Sequence, residues 1–442
     1  MGPAQRGMKD KDVPRPARPV GIPVVAADAA ANRLPMAAAG ESGEPAKGLS
    51  TLPPLSLYVH LPWCLRKCPY CDFNSHELPS QEGQGSSLGP GPDAALQRRY
   101  RQALVHDLEA ALPQVWGRTV HSIFIGGGTP SLFEPDQIEA LLTDLRARLR
   151  LEPGCEITME ANPGTFEARR FAAYARAGVT RLSIGVQSFD DQALTALGRV
   201  HDGRQARAAA EEAACAFPTW NLDLMYALPG QTLAGLERDL DAALALRPPH
   251  LSIYHLTIEP NTRFALKPPS GLPDDDSAYG MLDRIIERTA AAGLARYEVS
   301  AFSMPGHRCT HNLNYWRYGD YLGIGAGAHS KLSFPDRLVR QVRWREPRAY
   351  IEAAERGQAV SNTQAIEAAE RPFEFMLNGL RLIDGVSLRT FHERTGVNAA
   401  VLEPALRTAI SRGLLQQQGL QVQPTAKGLD FLSDLQSIFL PD

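Results

Sequence analysis

The sequence has few cysteines, no long apolar run and no excess of one charge, and each shortage excludes a class of protein. Six cysteines in 442 residues are too few for a disulfide framework. No run of about 18 apolar residues predicts a membrane-spanning helix, and no secretory signal precedes the first motif. The formal net charge is −3, so no basic field is available for nucleic acid. We therefore expect a cytoplasmic protein that binds no nucleic acid and is not an integral membrane protein.

The first 54 residues also lack aromatic side chains and a periodic apolar face. They contain nine Pro, six Gly and eleven Ala, which cannot bury enough surface to offset the entropy of ordering. We expect a disordered extension over residues 1–54. A mitochondrial transit peptide is the competing interpretation, but its composition is unusual here because five acidic residues are present: Asp10, Asp12, Asp28, Glu41 and Glu44. Residues 81–93 and 267–276, rich in Gly, Pro and Ser, are predicted surface loops.

Short apolar or alternating runs then follow one another along the chain, separated by segments with helical spacing. The runs predict strands over residues 55–61, 122–127, 156–162, 181–188, 221–228 and 250–256. The intervening segments predict helices over residues 94–115, 135–150, 165–177, 203–217 and 233–246, and Gly178 occupies an expected C-cap. This order predicts an α/β fold with a parallel sheet, either a complete or partial (β/α) barrel or a doubly wound sheet.

Polar side chains repeat on one face of several predicted strands, which favours the barrel. Residues two apart in a strand share a face. The sets are Tyr58 with His60, Thr158 with Glu160 and Asn162, Ser183 with Gly185 and Gln187, and Asn221 with Asp223. Active sites of barrels form at the carboxyl ends of their strands. We therefore predict a (β/α) barrel, complete or partial, over residues 55–360.

Residues 361–442 have a different pattern, with helical segments and one short hairpin over residues 414–423 that is broken at Gly419. This order predicts a small, mainly helical C-terminal domain that is winged-helix-like. Its basic residues alternate with acidic ones and form no continuous stripe, so a structural or docking role is favoured over DNA binding.

Three of the cysteines lie together directly after the first predicted strand. Cys64, Cys68 and Cys71 form a Cys-x3-Cys-x2-Cys motif. Thiolates select zinc or iron–sulfur clusters. Zinc prefers four ligands, and His60 or His76 is available as the fourth, but the second cysteine pair typical of structural zinc sites does not follow. Three thiolates on one loop suit a cubane cluster with one iron open to a further ligand.

The cysteine spacing, with Tyr70 before the third cysteine, resembles the radical S-adenosylmethionine superfamily. The resemblance implies that the barrel is a partial (β/α)6 barrel of the TIM type. It also implies a [4Fe-4S] cluster whose open iron is chelated by S-adenosylmethionine. It extends through residues 126–131 and several later segments, which look like those of oxygen-independent coproporphyrinogen oxidases and their relatives. It implies that Arg199 and Glu160 are charge partners of S-adenosylmethionine. The full implied pocket comprises Tyr58, Phe73, Gly127, Gly128, Thr129, Glu160, Gln187, Arg199 and Asp223.

Two features separate this chain from the oxidase branch. The oxidases continue the cluster motif with a fourth cysteine, where this chain has Asp72 and then Phe73. Residues 311–316 (His-Asn-Leu-Asn-Tyr-Trp) are similar to the His-Asn-x-x-Tyr-Trp motif of the HemW heme chaperones. A neutral imidazole such as that of His311 is a common axial ligand of heme iron, and Tyr315 and Trp316 offer flat faces to a porphyrin. His329 is a second candidate ligand.

The resemblance implies a heme chaperone with no catalytic residue, carrying a [4Fe-4S] cluster and S-adenosylmethionine. Such a protein binds heme and transfers it to an acceptor hemoprotein, by analogy a membrane-associated respiratory enzyme. Two alternatives remain. One is an oxidative decarboxylase of coproporphyrinogen that abstracts hydrogen from propionate side chains, and the other is a zinc-stabilised binding module.

Overall fold

The computed structural model describes Leu49 and residues 51–78, 91–164 and 168–441. The predicted disordered extension therefore lies almost wholly outside the described residues, as do residues 81–90 of the first predicted loop. Within the described ranges, no helix combines the length and apolar character needed to cross a membrane.

Six parallel strands form the centre of the fold, and they neighbour one another in chain order. They belong to the first eight strands: β1 (Leu55–Leu61), β2 (Trp63–Cys64), β3 (His76–Glu77), β4 (Thr119–Gly127), β5 (Arg150–Ala161), β6 (Arg181–Gln187), β7 (Thr219–Tyr226) and β8 (His250–His255). The parallel order is β1-β4-β5-β6-β7-β8, and β2 pairs only with β3. The predicted parallel sheet is confirmed, and its sequential order is that of a (β/α) barrel.

The barrel is partial because its two outer strands pair with other strands and not with each other. Six later strands extend the sheet: β9 (Ala295–Glu298), β10 (Ala301–Ser303), β11 (Asp320–Ile324), β12 (His329–Ser333), β13 (Leu338–Arg343) and β14 (Val360–Ala365). Strand β11 runs parallel to β1, whereas β10 runs antiparallel to β8. The antiparallel strands β12 to β14 continue from β11 to one edge of the sheet.

Helices connect the parallel strands at close to the predicted positions, and further helices follow β8. In chain order they are α1 (Ala94–Val115), α2 (Pro135–Arg148), α3 (Phe171–Ala177), α4 (Asp191–Ala196), α5 (Gly203–Ala216), α6 (Leu233–Ala245), α7 (Arg263–Leu266), α8 (Asp275–Ala291), α9 (Thr310–Trp316) and α10 (Pro347–Ala354). Asp93 caps α1, and Asp202 forms a capping box with Gln205 at the start of α5. Gly178, at φ 108°, ends α3 as predicted. The predicted start of α3 includes residues 165–167, which lie outside the described residues.

The C-terminal region is built from short helices and a small sheet. Its elements are α11 (Arg371–Gly379), β15 (Val386–Ser387), α12 (Leu388–Thr395), α13 (Glu403–Ser411), β16 (Leu415–Gln418), β17 (Gln421–Pro424), α14 (Ala426–Asp430) and α15 (Leu432–Ser437). Strands β16 and β17 form the predicted hairpin, and β15 pairs with β17. This winged-helix-like order of helices followed by a hairpin agrees with the sequence pattern.

Two faces of the parallel strands have opposite character. Apolar residues such as Val59, Ile125, Met159 and Ile184 are fully buried in the main core with the helices. Their neighbours in sequence, including Tyr58 and Glu160, belong to the other face. The polar face therefore lines the inside of the partial barrel, and the carboxyl ends of its strands carry the candidate site.

Candidate functional site

The three motif cysteines lie on a loop that the sheet and the glycine turn hold in place. Cys64 belongs to β2, which pairs with β3 so that Cys64 lies opposite Glu77. The Cys71 backbone N–H donates to the Cys68 carbonyl oxygen at 3.1 Å, which closes a tight turn. The loop follows β1 directly, so its thiols lie at the carboxyl end of the parallel sheet.

The donor set fits an iron–sulfur cluster better than a single zinc ion. Among the described residues, no group of three His, Cys, Asp or Glu side chains is arranged around one metal ion. A cubane instead binds each cysteine through a different iron, which separates the sulfurs. Both ring nitrogens of His60 are engaged, Nδ1 with the Tyr58 hydroxyl at 2.9 Å and Nε2 with the Asn74 carbonyl oxygen at 3.0 Å. His76 Nε2 contacts Asn74 Oδ1 at 3.3 Å, so this histidine also has a polar partner within the protein.

Burial controls the protonation of two of the thiols. Burial, with the neighbouring Cys71 and Cys68, raises the pKa of Cys64 to about 11, although the hydrogen bond from Thr129 lowers it in part. Burial likewise raises the pKa of Cys71. The Cys64 and Cys71 thiols are therefore neutral without metal at pH 7, and binding of iron has to release their protons.

Three consecutive glycines, residues 126–128, stand at the end of β4 because other parts of the chain occupy the space of their side chains. Gly127 has φ +111°, and a Cβ there would collide with the His60 ring. A Cβ at Gly128 would lie 2.6 Å from the Pro62 carbonyl carbon. Backbone hydrogen bonds from Gly128 to Leu61 and from Thr129 to Trp63, both 2.8 Å, hold this turn against the start of the cysteine loop. The turn therefore supports the loop as well as lining the predicted cofactor pocket.

Two predicted acidic residues come together beside this turn. Glu160 Oε2 accepts a hydrogen bond from the Gly127 backbone N–H at 3.0 Å. Burial, and then the charge of Asp223, raise the pKa of Glu160 to about 7. Burial also raises the pKa of Asp223, although Ser183 at 3.0 Å and Asn221 at 2.8 Å donate to its carboxylate. Burial followed by the charge of Glu160 raises the pKa of Tyr58 in turn.

Arg199 reaches the cysteine loop from beyond α4. Its Nη1 donates to Cys68 Sγ at 3.6 Å, and its Nη2 donates to Asn162 Oδ1 at 2.7 Å and to the Gly185 carbonyl oxygen at 2.6 Å. Its Nε is buried and has no hydrogen-bond partner in the described structure. An acceptor supplied by a ligand, such as a carboxylate, would satisfy this donor.

The remaining predicted pocket residues lie at neighbouring strand ends. Gln187 ends β6 with φ 68°, beyond an irregularity between Gly185 and Gln187 in the pairing with β7, and such backbone strain clusters at functional sites. Phe73 lies on the cysteine loop and is 39% exposed. The structure thus brings the predicted pocket residues to the ends of β1, β4, β5, β6 and β7. It adds Asn162, which the alternation of β5 placed on the correct face without indicating its partners.

The His311 imidazole lies inside the barrel, farther from the carboxyl ends of the strands than the glycine turn just described. Helix α9 packs against β4, where the Ser122 hydroxyl contacts His311 Nδ1 at 3.2 Å. The Phe124 ring lies 5.1 Å from His311 and 6.3 Å from Tyr58, so it stands between the imidazole and the cofactor side of the barrel. Burial lowers the pKa of His311 to about 3, which keeps the imidazole neutral at physiological pH.

The two aromatic residues of the same helix pack toward the C-terminal region. Trp316 is 7% exposed in the second hydrophobic core, and the Arg381 guanidinium lies 4.4 Å from the centre of its ring. The Tyr315 ring lies 5.2 Å from Tyr321. Stacking of a porphyrin on these rings stays a prediction, and at Trp316 it requires Arg381 to move. The other candidate, His329, begins β12 and lies near enough to His60 to lower the pKa of that residue.

Comparisons with known proteins identify the family. Residues 58–243 match the radical SAM superfamily, and residues 366–431 match the HemN C-terminal domain. The chain is 46% identical over 393 residues to the protein named heme chaperone HemW of Escherichia coli (strain K12), covering 88% of this chain and 99% of that protein. The chain belongs to the HemW family. A second HemW, from Bacillus subtilis (strain 168), is 34% identical and covers 84% of this chain and 96% of its own length.

A solved structure shows how far the fold of this HemW family member is shared. The coproporphyrinogen III oxidase HemN from Escherichia coli, described as a radical SAM enzyme, superposes with a TM-score of 0.72 at 23% sequence identity. The match covers 89% of this chain and 92% of that one. The oxidase and this HemW family member therefore have the same fold, including the C-terminal helical domain.

Proposed function

We propose that this HemW family member is a heme chaperone that binds heme and transfers it to an acceptor hemoprotein, and that it carries a [4Fe-4S] cluster and S-adenosylmethionine. The observation that carries the proposal is the 46% identity to the Escherichia coli protein named heme chaperone HemW over 99% of that protein's length. By the same analogy, the protein acts in the cytoplasm and the acceptor is a membrane-associated respiratory enzyme.

The cofactor part of the proposal rests on the donor set at the sheet's carboxyl end. Cys64, Cys68 and Cys71 would hold the cluster, which in this superfamily supplies the electron that cleaves the sulfonium carbon–sulfur bond. The unpartnered Nε of Arg199 offers a donor to the carboxylate of S-adenosylmethionine. Glu160 offers an acceptor to the amino or ribose groups. The other contributors to this pocket are Tyr58, Phe73, Gly127, Gly128, Thr129, Gln187 and Asp223.

The heme part of the proposal rests on His311. Its imidazole is neutral because burial lowers its pKa to about 3, and the neutral ring is the form that ligates iron. Tyr315 and Trp316 supply apolar surface next to it on the same helix. Because Arg381 covers Trp316, heme contact with that ring has to be accompanied by a local rearrangement of the C-terminal region.

The second candidate function is oxidative decarboxylation of coproporphyrinogen, favoured by the shared fold with HemN. Asp72 and Phe73 stand where the oxidases carry a fourth cysteine, which favours the chaperone. Anaerobic reconstitution, with measurement of iron, sulfide and coproporphyrinogen turnover, separates the two. We expect about four irons per chain, saturable binding of one heme and no porphyrin product. Rapid formation of protoporphyrinogen would contradict the chaperone, and zinc in place of iron would contradict both.

Replacing His311 by Ala tests the heme ligand. We expect the Kd for heme to rise at least about tenfold, the equivalent of losing 1.4 kcal/mol, with a changed Soret band. The matched control is His392→Ala, because His392 is an exposed histidine that donates only to the Val397 carbonyl oxygen within the C-terminal region. Identical titrations for the parent and the His311 variant would remove this residue from the heme site.

A further inference from the structure

Each motif cysteine has its own polar side chain within hydrogen-bond distance of its sulfur. The Thr129 hydroxyl donates to Cys64 Sγ at 3.4 Å, and Arg199 Nη1 donates to Cys68 Sγ at 3.6 Å. The Ser75 hydroxyl lies 3.7 Å from Cys71 Sγ. These are ordinary distances for hydrogen bonds to sulfur, and the three donors come from three different parts of the chain.

One amide orients two of these donors. Asn162 Oδ1 accepts from Arg199 Nη2 at 2.7 Å, and Asn162 Nδ2 donates to Thr129 Oγ1 at 3.0 Å. A guanidinium has no acceptor, so the atom of Asn162 that faces Arg199 is the carbonyl oxygen and the NH₂ group is left for Thr129. Since a lone pair of the Thr129 hydroxyl is then occupied, its hydrogen is available to Cys64. A continuous chain of contacts runs from Cys64 through Thr129, Asn162 and Arg199 to Cys68.

The other contacts of Arg199 strengthen this arrangement. The Gly185 carbonyl oxygen also accepts from Nη2, at 2.6 Å, so the guanidinium is fixed on one side by β6 and on another by Asn162. A Cβ added at Gly185 would lie 3.4 Å from Nη2, which shows how closely the strand approaches the guanidinium. Nη1 is thereby directed to the sulfur of Cys68.

We propose that Asn162 is a positioning residue that sets the reduction potential of the cluster by aiming the Thr129 hydroxyl and the Arg199 guanidinium at two of the cysteine sulfurs. The inference rests on the proposed function, because it assumes that the cluster is bound. Hydrogen bonds to the sulfurs stabilise the reduced cluster, which carries one more negative charge than the oxidised cluster. Their loss lowers the midpoint potential.

The test is a reductive titration with dithionite of the anaerobically reconstituted full chain, followed by electron paramagnetic resonance of the one-electron-reduced cluster. Thr129→Val keeps the side-chain shape and removes one donor. We expect the equilibrium constant for cluster reduction to fall about tenfold, which is a shift of 59 mV for one electron. Asn162→Leu removes the amide that orients both donors, and we expect the midpoint potential to shift in the same direction. Thr129→Ser restores the hydroxyl and the parent potential.

The control is Thr158→Val, on strand β5, which ends immediately before Asn162. The Thr158 hydroxyl is buried without a hydrogen-bond partner in the described structure, so its removal leaves the potential unchanged. If the parent takes up no [4Fe-4S] cluster, the proposed function fails and the inference fails with it. If the parent takes up the cluster but both Thr129→Val and Asn162→Leu titrate at its potential, the inference alone is wrong. Equal shifts in Thr129→Ser and Thr129→Val would also overturn it.

Discussion

Glu160 is a carboxylate in a position where a negative charge is energetically unfavourable. It is buried near a second carboxylate, Asp223, and the described part of the chain provides it with a backbone donor from Gly127 but no positive partner. Burial and the charge of Asp223 raise its pKa to about 7 for this reason. A folded protein gains nothing from such a group by itself, so its retention agrees with a role in binding the positively charged amino group of a ligand.

The raised pKa of Glu160 predicts a pH-dependent stability. Because the folded state holds the Glu160 proton more tightly than the unfolded state, stability is lost as pH rises from about 4.3 to about 7. Glu160→Gln removes this loss. We expect the variant to be more stable than the parent at pH 8 by on the order of 3–4 kcal/mol, with the two similar at pH 4. Urea unfolding of the metal-free chains measures this, and a difference that does not vary with pH would contradict it.

The alternation of residues predicted which side chains share a face, but not which of them touch. Tyr58, Glu160 and Asp223 were all placed on the polar face from sequence, and they lie together in the structure. The contact between Asn162 and Arg199 was not predictable, because Arg199 lies beyond α4 and its position depends on that helix. The contact of His311 with Ser122 likewise depends on how α9 packs against β4. The alternation of residues along a strand predicts which face a side chain belongs to, whereas strand register and helix packing determine which residue it contacts.

At the scale of elements, α9 begins without a cap from its own chain segment. Cys309 at its N-cap makes no side-chain hydrogen bond to the helix. Instead Glu156 of β5 accepts from the backbone N–H groups of Thr310 at 2.9 Å and His311 at 3.3 Å. A carboxylate at this position also interacts favourably with the positive end of the helix dipole. Glu156 therefore attaches the helix that carries His311 to the inside of the sheet.

Replacing Glu156 by Ala removes an acceptor from two N–H groups that have no other helical partner, and it also removes the carboxylate that lies 3.7 Å from the buried Arg181 guanidinium. We expect the free energy of unfolding to fall by about 1–2 kcal/mol, as for the loss of a helix cap. Glu152→Ala is the control, because Glu152 is an exposed residue of the same strand whose salt bridge with His121 is worth about 0–1 kcal/mol. Urea unfolding at pH 7 compares the two, and equal losses would exclude the capping role.

The early strands were predictable as elements and the later ones were not. The six strands of the central parallel sheet, β1 and β4 to β8, alternate with helices that have clear apolar periods, so their order follows from the sequence. Strand β14 is exposed along most of its length and presents no apolar face. Strand β13 contains the fully buried Arg343, which donates from Nε to Asp107 and from Nη1 to Ser330. Such a strand has no hydrophobic pattern to recognise, because its burial depends on partners elsewhere in the chain.

At the scale of the whole molecule, the second hydrophobic core joins the sheet to the C-terminal region. It contains Trp316, Tyr318 and Leu338 from the sheet side and Phe375 and Phe391 from the C-terminal side. Backbone hydrogen bonds of 3.1 Å also cross this boundary, from Val299 N–H to the Arg381 carbonyl oxygen and from Ile383 N–H to the Tyr297 carbonyl oxygen. Neither side completes this core alone, so the two are expected to unfold together.

Arg381 is the residue on which this connection depends most. Its guanidinium lies 3.3 Å from Glu298, with side chains only 9% and 4% exposed, and it also lies over Trp316. Burial raises the pKa of Glu298 even with Arg381 present, so removing the arginine leaves a buried acid without its partner. We expect Arg381→Met to lower the free energy of unfolding by about 3–5 kcal/mol. The double variant with Glu298→Gln should recover part of this loss, because no charge is then left unpaired.

Urea unfolding followed by both circular dichroism and tryptophan fluorescence tests this connection. In the parent we expect the two signals to change in one coincident transition, because the shared core links the sheet to the C-terminal region. Removal of Arg381 weakens that link and is expected to move the midpoint to lower urea. Two separate transitions in the parent, or an Arg381→Met variant as stable as the parent, would mean that the regions fold independently. In that case, the movement of Arg381 required for porphyrin contact with Trp316 would cost little free energy. If Arg381→Met is instead strongly destabilised, heme binding has to supply the free energy for that movement.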